Sequence, residues 1–327
     1  AGCPSHRRPG PFLPHRRTLD GRRAVNILVT GVTGYIGSVV APALQREGHA
    51  VRGFARRPDR VTLDLPVIGG DAVTGDVLQS ALQDIEVAYY LIHSMEHAEA
   101  DSFSVRERNG AERFAEAARD AGVRRIVYLG GPMPDGPRSA HLSSRLAVEE
   151  ILLDAVADSV ALRASIVIGA RSRSFRFLVR LVERLPVLAL PAWRENRTRP
   201  IDERDVIALL VAAATSEVVS GMALDIAGPD VVSYGELIQR IADLMLVDRP
   251  AVRFKRLTVT PIASRVAAAV AGEDPNFIEP LMESLDTDLL PRDDRATELL
   301  KIKPHSLNSA IEHSLAEWER SEPLAAR

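Results

Sequence analysis

From Ala24 onward, short runs of aliphatic and β-branched residues alternate with longer stretches whose apolar positions recur every three to four residues. This rhythm predicts βαβ units and therefore a parallel sheet. Residues 24–30 read as a first buried strand, 36–47 as a helix stopped by Gly48, and 50–54 as a second strand. A short third strand follows at 67–69 and a fourth at 87–92. A long helix from about Asp101 ends at Gly122, and 125–129 is a fifth strand of continuous apolar character. A helix over 139–156 and a strand over 160–165 complete a sixth unit.

Beyond Gly169 the rhythm loosens. Residues 175–185 and 202–214 read as helices, 186–199 as irregular and 222–226 as another strand. Ser233 and Glu236 form a capping box that opens a helix over 234–245, and shorter amphipathic helices fill the rest. The expected architecture is α/β: a doubly wound parallel Rossmann sheet with a smaller, mainly helical C-terminal substrate subdomain. Residues 24–170 would form the dinucleotide-binding domain, and 171–327 would interleave the remaining sheet elements with the substrate-binding part.

Composition refines this without redirecting it. The chain of 327 residues is 46% hydrophobic and 26% charged with a net charge of −3, which gives no reason to expect nucleic acid as a partner. No uncharged apolar run reaches the roughly 18–20 residues that a membrane-spanning helix needs, so no integral membrane segment is expected. Cys3 is the only cysteine, which excludes a disulfide or a cysteine-based metal site within the chain and fits a reducing compartment, the cytoplasm. No metal site is expected. Residues 1–23 carry four prolines and three arginine pairs, and read as a disordered basic tail. A basic arm or extra residues ahead of the fold both fit it, whereas a secretory signal would need an apolar segment that is absent.

The strongest motif is Gly31-Val-Thr33-Gly34-Tyr35-Ile36-Gly37, placed directly after the first strand and opening the first helix. Gly31 suits the tight turn, Gly34 lets backbone approach a pyrophosphate, and Gly37 allows the helix to pack closely on the strand. Amides at a helix start favour phosphate, so the loop is expected to bind a dinucleotide. An acidic residue about 20 positions on would mark NAD(H) through the ribose hydroxyl. Here the second strand ends instead in Arg56-Arg57, which suits a 2′-phosphate and points to NADP(H) over NAD(H); two solvated surface arginines are the plainer alternative. Asp76-Val77, after the third strand, is positioned for the adenine end, unless Asp76 is only an N-cap.

Taken together, the Gly31 to Gly37 loop, Tyr90-Leu-Ile-His93-Ser94-Met95, Arg124 to Gly131, Leu162 to Gly169 and Arg199 to Val206 resemble the atypical short-chain dehydrogenases of the NmrA-like, NAD(P)H-binding group. The likeness runs from Ala24 to about Arg320. Members of that superfamily use Tyr-x-x-x-Lys on the helix after the fifth strand. In this chain the segment reads His141-Leu-Ser-Ser-Arg145, and Gly130-Gly131 stand where a serine usually ends the strand. The spacing puts His141 and Arg145 on one helix face, where His141 could exchange a proton and Arg145 could bind ribose. The plainer reading pairs Arg145 with Glu149 along the helix.

His93 and Ser94 lie at the carboxyl end of the fourth strand, where open α/β sheets bind ligands, and Tyr128 inside the fifth strand reads as core. The resemblance implies that Ser165 and Gly169 flank the nicotinamide. Ser172, Arg173 and Phe175 open the next helix within reach of a substrate, and Trp193 offers an apolar wall. Arg176, Arg180 and Arg184 share a helical face that reads as solvated. The leading expectation is an NADP(H)-dependent oxidoreductase acting on a small carbonyl, enoyl or quinone-like substrate. A non-catalytic NADP(H)-binding redox sensor or assembly factor that meets a partner protein, and an NAD-dependent nucleotide-sugar epimerase, are the alternatives.

Overall fold

The computed structural model describes residues 23–93, 100–134, 136, 138–190, 192–248, 251–253, 272 and 285–322. The expected basic tail, with Cys3, falls outside the described residues, as do Ser94 and Met95.

Seven parallel strands form one sheet: β1 (Asn26–Thr30), β2 (Ala50–Ala55), β3 (Val67–Gly69), β4 (Val87–Tyr90), β5 (Arg125–Gly130), β6 (Val160–Ala164) and, later in the chain, β11 (Ala223–Ile226). Their order is β11-β6-β5-β4-β1-β2-β3, so the direction of winding reverses between β1 and β4. Every pairing in the sheet is parallel. The central strands bury both faces, as Val29, Ala88, Tyr89 and Val127 show, because helices cover each side. Those helices are α1 (Tyr35–Arg46), α2 (Leu78–Leu82), α3 (Ala100–Asp120), α4 (Ala140–Ala155) and α6 (Glu203–Ala213), with α5 (Arg173–Arg184) leading away from the sheet.

The remaining short strands, β7 (Val167–Ile168), β8 (Leu188–Leu190), β9 (Arg197–Thr198), β10 (Ile201–Asp202), β12 (Val232–Ser233) and β13 (Ala251–Arg253), pair two by two. Two of them lie inside 186–199, which the sequence pattern leaves irregular: strands of two or three residues are too short to show a period. Helices α5, α7 (Tyr234–Leu244) and α9 (Leu307–Ser321) enclose a second core around Phe175, Phe177, Tyr234, Ile238, Ile311 and Trp318, while α8 (Arg295–Leu300) packs toward β11. The expected capping box is present: Ser233 Oγ accepts from the Glu236 amide at 3.1 Å, and Glu236 accepts from the Ser233 amide at 2.7 Å. Among the described residues, no helix is long and apolar enough to cross a membrane.

Candidate functional site

The switch of winding between β1 and β4 opens a crevice at their carboxyl ends, and the glycine loop sits at its mouth. Thr30 Oγ1 donates to the Tyr89 carbonyl at 2.9 Å and accepts from the Leu91 amide at 3.0 Å, which fixes the two strand ends to each other. Gly31 then turns with φ of 65°, and a Cβ there would lie 2.6 Å from the Leu91 carbonyl. The Gly34 amide donates to the Gly31 carbonyl at 2.8 Å, and Gly34 is the N-cap of α1. Gly37 is buried, and a Cβ there would meet the Gly31 carbonyl at 2.3 Å. The loop is therefore a cradle of backbone only, with Thr33 and Gly34 exposed and the start of α1 facing outward; it fits a diphosphate.

Tyr35 and Ile36 sit on the first turn of α1. Ile36 packs on the core, and the Tyr35 side chain turns away from the loop to donate its hydroxyl to Glu203 at the start of α6. A Cβ on Gly169 would fall 1.9 Å from that hydroxyl, so only glycine lets the contact form. Burial, followed by the Glu203 charge, raises the Tyr35 pKa, and burial also raises that of Glu203. Arg171, which sequence reasoning passed over, reaches the same helix start and donates to Ser38 Oγ at 3.0 Å.

Past the end of β2, Arg56 and Arg57 are exposed, and neither side chain makes a hydrogen bond or ion pair among the described residues. Asp76 and Val77 are exposed at the start of α2, and a Cβ on Gly70 would meet Val77 Cγ2 at 2.4 Å, which places Val77 against the end of β3. The N-cap alternative for Asp76 does not hold. The cap position is Val77, in the left-handed region at φ of 61°, with no side-chain cap.

The third part of the site joins elements far apart in sequence. His93, just past β4, holds its Nδ1 3.0 Å from Glu107 Oε1 of α3, and Ser144 of α4 donates to Glu107 Oε2 at 3.0 Å. Arg145 stands one residue on: its Nη1 lies 3.3 Å from His93 Nδ1, its Nη2 donates to the Leu129 carbonyl, and its guanidinium stacks 4.9 Å over the Tyr128 ring. Tyr128 is core, as expected, and its hydroxyl donates to the Arg145 carbonyl at 3.2 Å. The His141 ring sits 5.1 Å from that of His93, with Phe103 beside both. The helical spacing thus does bring His141 and Arg145 to one place.

The electrostatics there differ from the simplest expectation. Burial, His93 and Arg145 push the His141 imidazole down to about 3, so it stays neutral at physiological pH. Its Nδ1 is buried without a hydrogen-bond partner among the described residues. His93 is also lowered, by burial first and Arg145 next, against the pull of Glu107. Glu107 went unnoticed in the sequence. The signal for it was there: it shares a helical stripe with Ala111, Phe114 and Ala118, so it is a carboxylate on a buried face.

Several other expectations change. Arg145 and Glu149 do not pair along α4; Glu149 instead accepts from Arg163 Nε of β6 at 3.1 and 3.0 Å. Ser165 Oγ donates to the Arg199 carbonyl at 2.9 Å, so its hydroxyl proton is engaged with backbone. Ser172 caps α5, Phe175 is fully buried, and Trp193, 5% exposed, packs edge-on to Tyr234 as core instead of walling a cleft. The arginine face of α5 is not simply solvated. Arg180 is 8% exposed, pairs with Glu183 and Glu322, and stacks with Arg176 on the Trp318 ring. Among the described residues, no group of His, Cys, Asp or Glu is arranged to hold a metal ion.

The NAD dependent epimerase/dehydratase family matches residues 27–226. A ceramide reductase of Caulobacter vibrioides is 26% identical over 223 residues, 67% of this chain and 70% of its own. A (4-alkanoyl-5-oxo-2,5-dihydrofuran-3-yl)methyl phosphate reductase of Streptomyces griseus is 29% identical over 270 residues, 80% of this chain and 86% of its own. A short-chain dehydrogenase/reductase superfamily protein from Agrobacterium tumefaciens, solved with bound NAD, has the same fold at a TM-score of 0.67 and 19% identity, covering 90% of this chain and 97% of that one. With its glycine cradle at the winding switch and the family matched across the whole seven-stranded sheet, this chain belongs to the NAD-dependent epimerase/dehydratase family of extended short-chain dehydrogenases/reductases.

Proposed function

We propose that the chain is an NADP(H)-dependent reductase of a small carbonyl, enoyl or quinone-like compound. The observation that carries the cofactor choice is the exposed Arg56-Arg57 pair at the end of β2, with no acidic residue there to receive a ribose hydroxyl. Two relatives bear the names of reductases, one of a ceramide and one of a phosphorylated furanone, which supports reduction as the chemistry. The loop from Gly31 to Gly37, with Thr33, Tyr35 and Ile36 contributing their amides, would hold the diphosphate. Asp76 and Val77 would border the adenine, and His93, Ser94, Ser165 and Gly169 would line the nicotinamide end. Bound there, the reduced nicotinamide supplies a hydride.

The residues of α4 do the positioning. Arg145 retains donors beyond the one given to the Leu129 carbonyl, and these can bind ribose hydroxyls, the task of the missing lysine. A neutral His141 polarises a substrate carbonyl by donating a hydrogen bond through Nε2, without changing its own charge. The test is single-turnover oxidation of NADPH against a panel of aldehydes, ketones, enones and quinones. His141→Ala should slow turnover by about 100-fold with NADPH binding unchanged. Turnover at the unmutated rate would remove the role. No oxidation with any acceptor would favour the redox-sensor reading, to which the loss of the usual tyrosine, lysine and serine also points.

A further inference from the structure

We propose that His93, gripped through Nδ1 by the Glu107 carboxylate, is the group that exchanges a proton with the substrate oxygen, an assignment that rests on the reductase reading above. Three observations converge on it. His93 follows the segment on which the phosphate loop rests, since the Gly31 Cβ position lies against the Leu91 carbonyl. Glu107 is only 5% exposed, yet both of its oxygens are engaged, one by His93 and one by Ser144. The contact to the carboxylate fixes the proton on Nδ1 and leaves Nε2 as the working nitrogen, while 34% of the His93 side chain stays open to solvent. The neighbours are less suited. Among the described residues His141 has no carboxylate partner, and Arg145 cannot release a proton.

The groups facing His93 are Glu107 from α3, His141 and Arg145 from α4, and Arg173 from α5. Two cations and one carboxylate favour giving a proton up. Reduction of a carbonyl needs a hydride at carbon, which the cofactor brings with its two electrons, and a second proton at oxygen. As the C=O electron pair collects on oxygen, the imidazolium form of His93, with a proton on each nitrogen, releases the one on Nε2 to it. The proton on Nδ1 stays in its contact with Glu107, so the imidazole ends neutral and Glu107 remains a carboxylate throughout. Solvent then refills the pair through the open side of His93.

Histidine-labelled nitrogen NMR on the full chain tests this, with the His93 signals assigned by their loss in His93→Asn. The expected result is a proton on Nδ1, an Nε2 signal that moves when NADPH binds, and a titration midpoint about one pH unit lower in Glu107→Gln. The same two variants should slow NADPH oxidation by phenanthrenequinone or benzaldehyde by about 100-fold. A proton on Nε2, or signals indifferent to both NADPH and Glu107→Gln, overturns the assignment. His93→Asn turning over at the unmutated rate removes only His93, whereas an unmutated chain that oxidises no NADPH removes the reductase reading itself.

Discussion

Gly37→Ala is expected to weaken binding of NADPH and NADH alike by at least about 100-fold, near 2.7 kcal/mol. The added methyl would sit 2.3 Å from the Gly31 carbonyl and 2.8 Å from its carbon, both backbone atoms that no side-chain rotation can clear. Helix α1 must therefore move off the loop, and the amides that cradle the diphosphate move with it. Because the strain is local, far-UV circular dichroism of the variant should match that of the unmutated chain. Binding within threefold of normal, measured by fluorescence of the reduced nicotinamide, would mean that the dinucleotide does not use this loop.

The second large effect is on stability. Arg163 joins Glu149 of α4 to Asp225 of β11, with side chains only 11%, 4% and 6% exposed. Arg163→Met would leave two buried carboxylates without their cation, a loss of about 3–5 kcal/mol, because the desolvation cost remains when the partner goes. Glu149→Leu added to it should recover part of the loss, since an uncharged pair of similar volume carries no such cost. Chemical denaturation reads both variants. A loss under about 1 kcal/mol would place the pair with ordinary surface ion pairs. The network also bears on the site: a Cβ on Gly130 would lie 3.3 Å from Glu149 Oε2, so the same contacts seat α4, with His141 and Arg145, against the end of β5.

The sheet was legible in the sequence because a parallel strand covered on both faces reads as an unbroken apolar run. Residues 87–92 and 125–129 needed little more than their composition and the breaks around them. The phosphate loop was legible for a different reason: its glycines are required by backbone approach, at Gly31 and Gly37 above all, and backbone demands leave a fixed spacing. The plainer alternative for Arg145, a pair along its own helix, fails because the true partner of Glu149 is distant. Glu149 follows Arg145 by one helical turn and invited that pairing, but Arg163 on the neighbouring strand offers a buried, two-oxygen contact.

The same limit hid Tyr35 with Glu203, which lie 168 residues apart, and Arg180 with Trp318. Arg180 looked solvated because periodicity places a residue on a face without saying what covers that face; α9 does. Glu107 was the more instructive omission, for its place in an apolar stripe was visible, while its purpose depended on a histidine from another element.

Arg56 and Arg57 decide which dinucleotide the protein takes in the proposed reading. Calorimetric titration of the full chain with NADPH and with NADH, beside the Arg56→Ala/Arg57→Ala double variant, tests it most directly. We expect NADPH to bind at least about 100-fold tighter than NADH, and the double variant to lose that preference while keeping its affinity for NADH. Equal binding of the two dinucleotides by the unmutated chain, or a preference that survives loss of both arginines, would contradict the assignment.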